Sequence, residues 1–284
     1  MNLLLTRFFL ALSFFTRLPV PNLKEFREED FGKSLLFLPL VGLIIGFLLV
    51  LAASFFSWLL PLTLLIPLLL SLQIYLTGAI TVDGFMDTFD GIFSGRKPER
   101  ILEIMRDSRV GAHAVVSVMM LLLLKLGALA SLPVQPGSIA FALPLDLWNW
   151  NFQTGFYGST FDPLLLTLLW LPMVGRWSIA FALYRFPYAR SEGMAALFHR
   201  HRPVAPVFIT TLFTAFVLTA LAGLVGIFIL AMTALFVQVW ATHLSKKLGG
   251  LTGDIYGAIC ETVEVYGLVL LVALLYSPFG EVLF

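Results

Sequence analysis

Asp83, Asp87 and Asp90 stand four and three residues apart in the stretch DGFMDTFDG. On a helix turning about 100° per residue, that spacing puts all three within roughly 60° of one another. They would form an acidic stripe about 10 Å long. Unpaired carboxylates so arranged repel each other. A hard divalent cation removes the repulsion, prefers oxygen ligands and keeps waters and substrate phosphates in its shell. Gly84 and Gly91 let a bulky group approach the backbone, and each weakens a helix by about 1 kcal/mol. The bland alternative is a solvated carboxylate face paired with nearby arginines. Position favours metal binding: the forty-nine residues from Ser34 to Val82 contain no Asp, Glu, Lys, Arg or His, so the stripe begins where a long apolar run ends.

Downstream, PERILEIMRDSRVGAH places Arg106 and Arg109 three apart, flanking Asp107. Arginine clamps phosphate oxygens with a planar fork, so the pair suggests a phosphate or diphosphate beside the metal. Topology signals and local ion pairs such as Glu103 with Arg106 are the competing explanation. A second constellation, KKLGGLTGDIYGAICETVE, surrounds Asp254 with Gly249, Gly250, Gly253 and Gly257, and carries Glu261 and Glu264 into the next apolar run. Such glycine density can expose backbone N–H groups to an anion. Gly91, Gly253 and Glu261 therefore join Arg106 and Arg109 as candidate substrate- or phosphate-contacting residues. Asp83, Asp87, Asp90 and Asp254 are the candidate metal ligands and catalytic carboxylates. One helix offers only adjacent carboxylates to a single ion, so Asp254 is expected to supply a further ligand or the base. The four histidines show no zinc-enzyme spacing and read as interfacial or solvated.

The elements that must hold these groups are membrane helices. The chain is 59% hydrophobic and 12% charged, with mean hydropathy +0.94, against about 25% charged in a soluble domain. The fold class is all-α and polytopic, with about seven spans: Leu35–Ser57, Pro61–Val82, Ala114–Leu132, Pro163–Tyr184, Val204–Ala222, Leu224–Leu244 and Thr262–Tyr276. Lys and Arg cluster before the first span and between spans two and three, four and five, and six and seven, while Pro133–Asp162 has none. Positive charge therefore puts the N-terminus and the functional loops in the cytoplasm. Lys125 is the misfit, read as snorkelling outward. LWNWNFQTGFY in the outer loop reads as an aromatic belt, the N-terminal FFLALSFFT as an interfacial segment rather than a signal peptide. Gly42 and Gly46 read as a close-packing surface. The lone Cys260 excludes an internal disulfide framework and reads as a packing residue. One domain, 1–284, is expected.

SFFTRLPVP, DGFMDTFDGIFSG, LEIMRDSRVGAHA, the GRW and YRFPYARSEGM blocks between Arg176 and Met194, and GGLTGDIYGAICETVE together resemble the cobalamin synthase (adenosylcobinamide-GDP ribazoletransferase) family. They occur in that family's order over most of the chain. The resemblance implies that the 3′-hydroxyl of α-ribazole, or of its 5′-phosphate, attacks the corrinoid-side phosphorus of adenosylcobinamide-GDP. GMP leaves, and the cofactor implied is Mg²⁺. It further implies a multi-pass cell-membrane enzyme with the bilayer as partner and no nucleic acid; association with itself or with other cobalamin-assembly enzymes is left open. A CDP-alcohol phosphotransferase also uses membrane aspartates, but there Ala-Arg follows soon after the first Asp-Gly, whereas Asp83-Gly84 is followed by Phe-Met-Asp-Thr. An ion-coupled transporter would bury its charges at mid-span, whereas these carboxylates sit at span ends with arginines.

Overall fold

A computed structural model describes residues 2–23, 26–133, 162–190, 193–202 and 205–278. Among them eleven helices follow one another: α1 (Leu3–Phe15), α2 (Glu28–Ser34), α3 (Leu38–Phe56), α4 (Leu62–Leu76), α5 (Ile80–Phe93), α6 (Pro98–Ile104), α7 (Ala112–Ala130), α8 (Pro163–Arg185), α9 (Met194–Arg200), α10 (Ala205–Leu248) and α11 (Gly253–Leu275). The expected aromatic belt lies outside the described residues.

Five helical stretches are long and apolar enough to cross a membrane: Glu28–Phe56, Ala112–Ala130, Pro163–Arg185, Val207–Leu248 and Gly253–Leu275. The pair α4 and α5 makes a sixth if a bend of 91° is allowed within one span. The protein is thus a multi-pass membrane protein, but this count stops short of the expected seven. The difference lies in α10. A straight helix of 42 residues would be roughly 60 Å long, about twice the hydrocarbon thickness. Its backbone leaves helical geometry at Ala222 (φ −131°) and Gly223 (φ 54°, ψ −138°). Beyond that break, a Cβ on Gly226 would collide with the carbonyl of Leu218, so the chain has doubled back on itself.

Two further boundaries differ from expectation. The run Pro61–Val82 is not one straight span. It stops at Leu76, turns through Gly78 (φ 63°) and Ala79 (φ 60°), and restarts as α5. Arg17 clamps this corner: its N–H donates to the Leu76 carbonyl at 2.7 Å, and its guanidinium lies 5.6 Å from the centre of the Tyr75 ring. The last helix starts at Gly253 rather than Thr262, with Thr252 as N-cap accepting from Ile255 N–H. Glu261 and Glu264 are therefore well inside it.

The central element is α8, with 89% of its most apolar stretch buried. Asp162 caps it by accepting from Leu164 N–H, with Pro163 in the first turn, where a missing N–H costs nothing. Gly42 and Gly46 of α3 meet its backbone at Pro172 and Leu169, leaving no room for a Cβ at either. This is the close packing expected of them. α11 packs against α8 and also against α5 and α7. Cys260 is fully buried in that packing. The N-terminal α1, 13 residues long, is too short to span and buries Leu10, Ala11, Leu12 and Phe15.

Candidate functional site

Two short-range contacts assemble the site. The first joins α5 to the N-terminus of α11. A Cβ on Gly84 would lie 2.7 Å from the Asp254 carbonyl oxygen, and one on Gly257 would lie 2.9 Å from the Thr81 carbonyl oxygen. Glycine on each side lets the two backbones touch. The second joins the segment after α8 to the loop before α11. Ala189 N–H donates to Leu251 O and Leu251 N–H to Pro187 O, both at 2.8 Å, in a parallel bridge. Gly250 (φ 149°) presses against Tyr188 and Ala189. These contacts carry Arg190 to Asp254, with Nη2 3.0 Å from Oδ2. Arg190 Nε and Nη2 make no directed hydrogen bond among the described residues, so this is a charge pair.

The acidic stripe is on one helix, as its spacing requires, and Asp254 has joined it. Asp87 feels the negative charges of Asp83, Asp254 and Asp90 and the positive charge of Arg190. Among the described residues no three His, Cys, Asp or Glu side chains converge tightly enough to hold one ion by themselves. Asp90 has a separate environment: its carboxylate lies against Gly111, the N-cap residue of α7, so closely that a Cβ there would collide.

A cavity opens at each end of the stripe. The one beside Asp83 is about 240 Å³, and Asp254, Arg190, Gly253, Tyr188 and Tyr256 line it. Tyr188 lies between spans, and burial raises its phenol above the usual range. The cavity beside Asp90 is about 680 Å³ and is lined by Arg96, Arg100, Asp107, Arg109 and His113. There Arg109 is engaged by its own neighbour: Nε and Nη2 donate to Asp107 at 3.0 and 2.7 Å, which holds the Asp107 carboxyl down at about 2. Arg106 forms no salt bridge among the described residues, since Glu103 pairs with Arg100 at 2.6 Å instead. Arg106 lies near enough to Tyr188 to act on its charge. The two arginines thus face different neighbours.

Other candidates leave the site. The close approach at Gly91 is filled by the protein itself, with Met105 Cγ 2.7 Å from where a Cβ would stand. Glu261 is 4% exposed, receives a hydrogen bond from Thr81 Oγ1 at 2.6 Å and pairs with Lys125 at 2.6 Å. Lys125 does not snorkel. It is 4% exposed and also pairs with Glu264 at 2.7 Å. Glu264 in turn takes Arg176 Nη1 at 2.5 Å and Gln73 Nε2 at 2.8 Å. Two cations and two anions are therefore buried together inside the helix bundle, where Glu261 and Glu264 were expected at a span boundary and Lys125 at the outer surface. This removes the sequence argument against a transporter.

Sequence reasoning also passed over Arg190, Tyr188 and Tyr256. The first two lie in the quoted YRFPYARSEGM block, and Tyr256 follows Asp254 by two. A polar residue two positions from a suspected ligand was the available signal.

Residues 7–272 match the cobalamin-5-phosphate synthase family. Proteins named adenosylcobinamide-GDP ribazoletransferase are similar to the chain over nearly their whole length. That of Desulfitobacterium hafniense is 38% identical, covering 95% of this chain and 98% of its own. That of Geotalea daltonii is 35% identical with 95% and 98% covered, and that of Alkaliphilus metalliredigens 33% identical with 99% of each. No solved structure matches. A family match that spans the aspartate helix, the arginine segment and the glycine-rich loop in one alignment leaves no room for a transporter or a CDP-alcohol enzyme: the chain belongs to the cobalamin-5-phosphate synthase family.

Proposed function

We propose that this transferase of cobalamin biosynthesis joins adenosylcobinamide-GDP to α-ribazole or α-ribazole 5′-phosphate and releases GMP. The ribose 3′-hydroxyl oxygen forms a bond to the corrinoid-side phosphorus. The bond from that phosphorus to the bridging oxygen of the diphosphate breaks, and GMP carries away the electron pair. The hydroxyl proton passes to a carboxylate and then to solvent. The observation that carries this reading is Asp254 set against Asp83 and Asp87 by the Gly84 contact, with Arg190 beside it.

The carboxylates fit Mg²⁺. They are hard oxygen donors that repel one another, and Mg²⁺ commonly takes one or two protein carboxylates and completes its shell with water and substrate phosphate. That suits a site where three protein ligands do not converge. Two of Asp83, Asp87 and Asp254 would hold the ion, leaving the third free as base; Asp90 lines the cavity on the α7 side. When bound, Mg²⁺ neutralises the charge that develops on the leaving phosphate. Arg190 and Arg106 orient the diphosphate, and a carboxylate left free of the ion accepts the proton at hydrogen-bond range. The cytoplasmic face is the proposed side of the site, from the distribution of Lys and Arg.

The test is GMP release from adenosylcobinamide-GDP and α-ribazole by the purified protein, with and without Mg²⁺. The wild type should release GMP only with both substrates and the ion. Asp254→Asn keeps size and shape, and should abolish turnover while membrane insertion persists. Absence of GMP release by the wild type under these conditions overturns the reading.

A further inference from the structure

Three consecutive segments each bring an arginine to the larger cavity, about 680 Å³. Arg96 comes from the turn after α5, Arg100 from α6 and Arg109 from the loop before α7. Topology asks only that such residues be numerous on the cytoplasmic side, not that they meet. Here they face one concave space, whose volume falls within the usual range for ligand pockets, about 300–1,000 Å³. The two cavities also differ in the sign of their charged lining. The smaller has Asp83 and Asp254 against Arg190. The larger has the three arginines against Asp90 and Asp107.

Most of these charges already have a counterpart. Asp90 lies against Gly111 at the N-terminus of α7, where a helix dipole favours an anion. Arg109 pairs with Asp107, and Arg100 with Glu103. Arg96 forms no salt bridge among the described residues; its printed contact is a backbone one, from its N–H to Ser94 Oγ. The Arg100 and Arg109 side chains are 65% and 88% exposed, and exposed pairs are weak enough to yield to a stronger anion. A phosphate monoester is such an anion, with a charge of about −1.5 to −2 at neutral pH and three acceptor oxygens. Arginine forks match those oxygens.

The reaction holds one phosphate to which no residue has yet been given. The donor's diphosphate belongs with Arg190, Arg106 and the carboxylates that hold the ion. The acceptor in its phosphorylated form carries a monoester on the ribose 5′ oxygen. Asp90 stands three residues beyond Asp87, about 4.5 Å along the helix. The 5′-phosphate lies across the ribose from the 3′-hydroxyl, at a somewhat greater distance. With its 3′-hydroxyl beside Asp87, the acceptor reaches past Asp90 and brings its phosphate into the larger cavity. We infer that this cavity seats the 5′-phosphate of α-ribazole 5′-phosphate, with Arg96 as its main contact and Arg100 and Arg109 turned to it from their exposed partners. The inference rests on the transferase reading and adds to it that the phosphorylated nucleoside is the preferred acceptor, and through which residues. α-Ribazole leaves the cavity without its anion and is the weaker acceptor.

The test is the KM of each acceptor in GMP release, at saturating adenosylcobinamide-GDP and Mg²⁺, by the full-length protein in detergent. For the wild type, the KM of α-ribazole 5′-phosphate should be at least tenfold below that of α-ribazole, the effect of a charged hydrogen bond. Arg96→Gln should shrink that ratio several fold. Arg96→Gln combined with Arg100→Gln should bring it close to one; both residues are exposed, so folding is spared. Repeating the assay in nanodiscs of phosphatidylcholine, with and without phosphatidylglycerol, separates the acceptor's phosphate from that of a lipid headgroup. The ratio should be the same in both. Equal KM values for the two acceptors in the wild type, or a wild-type ratio in the double variant, overturns the inference and leaves the transferase reading standing, because GMP is still released. A double variant that keeps the ratio but loses a response to phosphatidylglycerol gives the cavity to a lipid headgroup instead. A wild type that releases no GMP with either acceptor overturns both the inference and the transferase reading.

Discussion

Gly84 and Asp254 touch through their backbones: a Cβ on Gly84 would stand 2.7 Å from the Asp254 carbonyl oxygen and 3.0 Å from its Cα. The atoms that would clash belong to the main chain of α11 and cannot swing aside as a side chain could. Gly84→Ala should therefore push the first turn of α11 away from α5 and separate Asp254 from Asp83 and Asp87. Helix propensity alone would make alanine the better residue by about 1 kcal/mol, so the two effects oppose each other. The expected outcome is at least a tenfold fall in GMP release by a protein that still inserts in the membrane and folds. Full activity in Gly84→Ala would show that the approach of the two helices does not set the geometry of the carboxylates.

What the sequence revealed and what it hid follow from one physical fact. In a chain this apolar, charges are rare and conspicuous, so the aspartate stripe and Asp254 could be named and even brought together before any coordinates. The same fact should have exposed the buried tetrad, since Arg176 stands in an apolar run and an intramembrane charge needs a partner. Lys125 was misread because a single lysine near a span end has two physical outcomes, snorkelling or pairing, and only the position of Glu261 and Glu264 on α11 chooses between them. The corner between α4 and α5 was hidden for another reason. Gly78 is an ordinary residue of membrane helices, and Ala79 in a left-handed conformation carries no local signature at all.

Arg106 and Arg109 should separate on substitution by lysine. Arg109 already spends its fork on Asp107, and its side chain is 88% exposed. Arg106 has no salt-bridge partner among the described residues and acts on Tyr188 beside the smaller cavity. Lysine keeps charge but cannot make a bidentate contact. Arg106→Lys should lose more than tenfold in kcat/KM for adenosylcobinamide-GDP, Arg109→Lys only a few fold. Equal losses in the two variants would place both forks on the diphosphate, and wild-type behaviour of Arg106→Lys would remove it from the site.

The loops around Asp83–Gly111, Arg185–Arg190 and Ser245–Asp254 meet at one end of the bundle, as the Tyr188 and Leu251 bridge and the Arg190–Asp254 pair require. Lys and Arg are concentrated there, so that end is expected in the cytoplasm. In a Cys260→Ser background, Ser94→Cys should be inaccessible to a membrane-impermeant thiol reagent in intact cells and become labelled once the membrane is permeabilised. Labelling in intact cells would invert the topology and move the proposed site to the other face.

Lys125 and Glu261 test whether the buried tetrad holds the site together from beneath. Lys125 bonds Glu261 and Glu264, while Gln73, Thr81 and Arg176 supply their remaining hydrogen bonds, so α4, α5, α7, α8 and α11 converge on two carboxylates. Thr81 is two residues before Asp83, and Glu261 is seven after Asp254, which ties the tetrad to both carboxylate-bearing helices. Removing one partner of a buried ion pair leaves an uncompensated charge and costs about 3–5 kcal/mol, whereas replacing both partners by neutral groups of similar shape can be nearly neutral. Lys125→Met should therefore lower the thermal unfolding temperature in detergent substantially. Lys125→Met combined with Glu261→Gln should recover most of the loss, because the glutamine carbonyl can still accept from Thr81. If the single variant unfolds at the wild-type temperature, or the double variant falls further than the single, the tetrad is not what fastens α5 to α11.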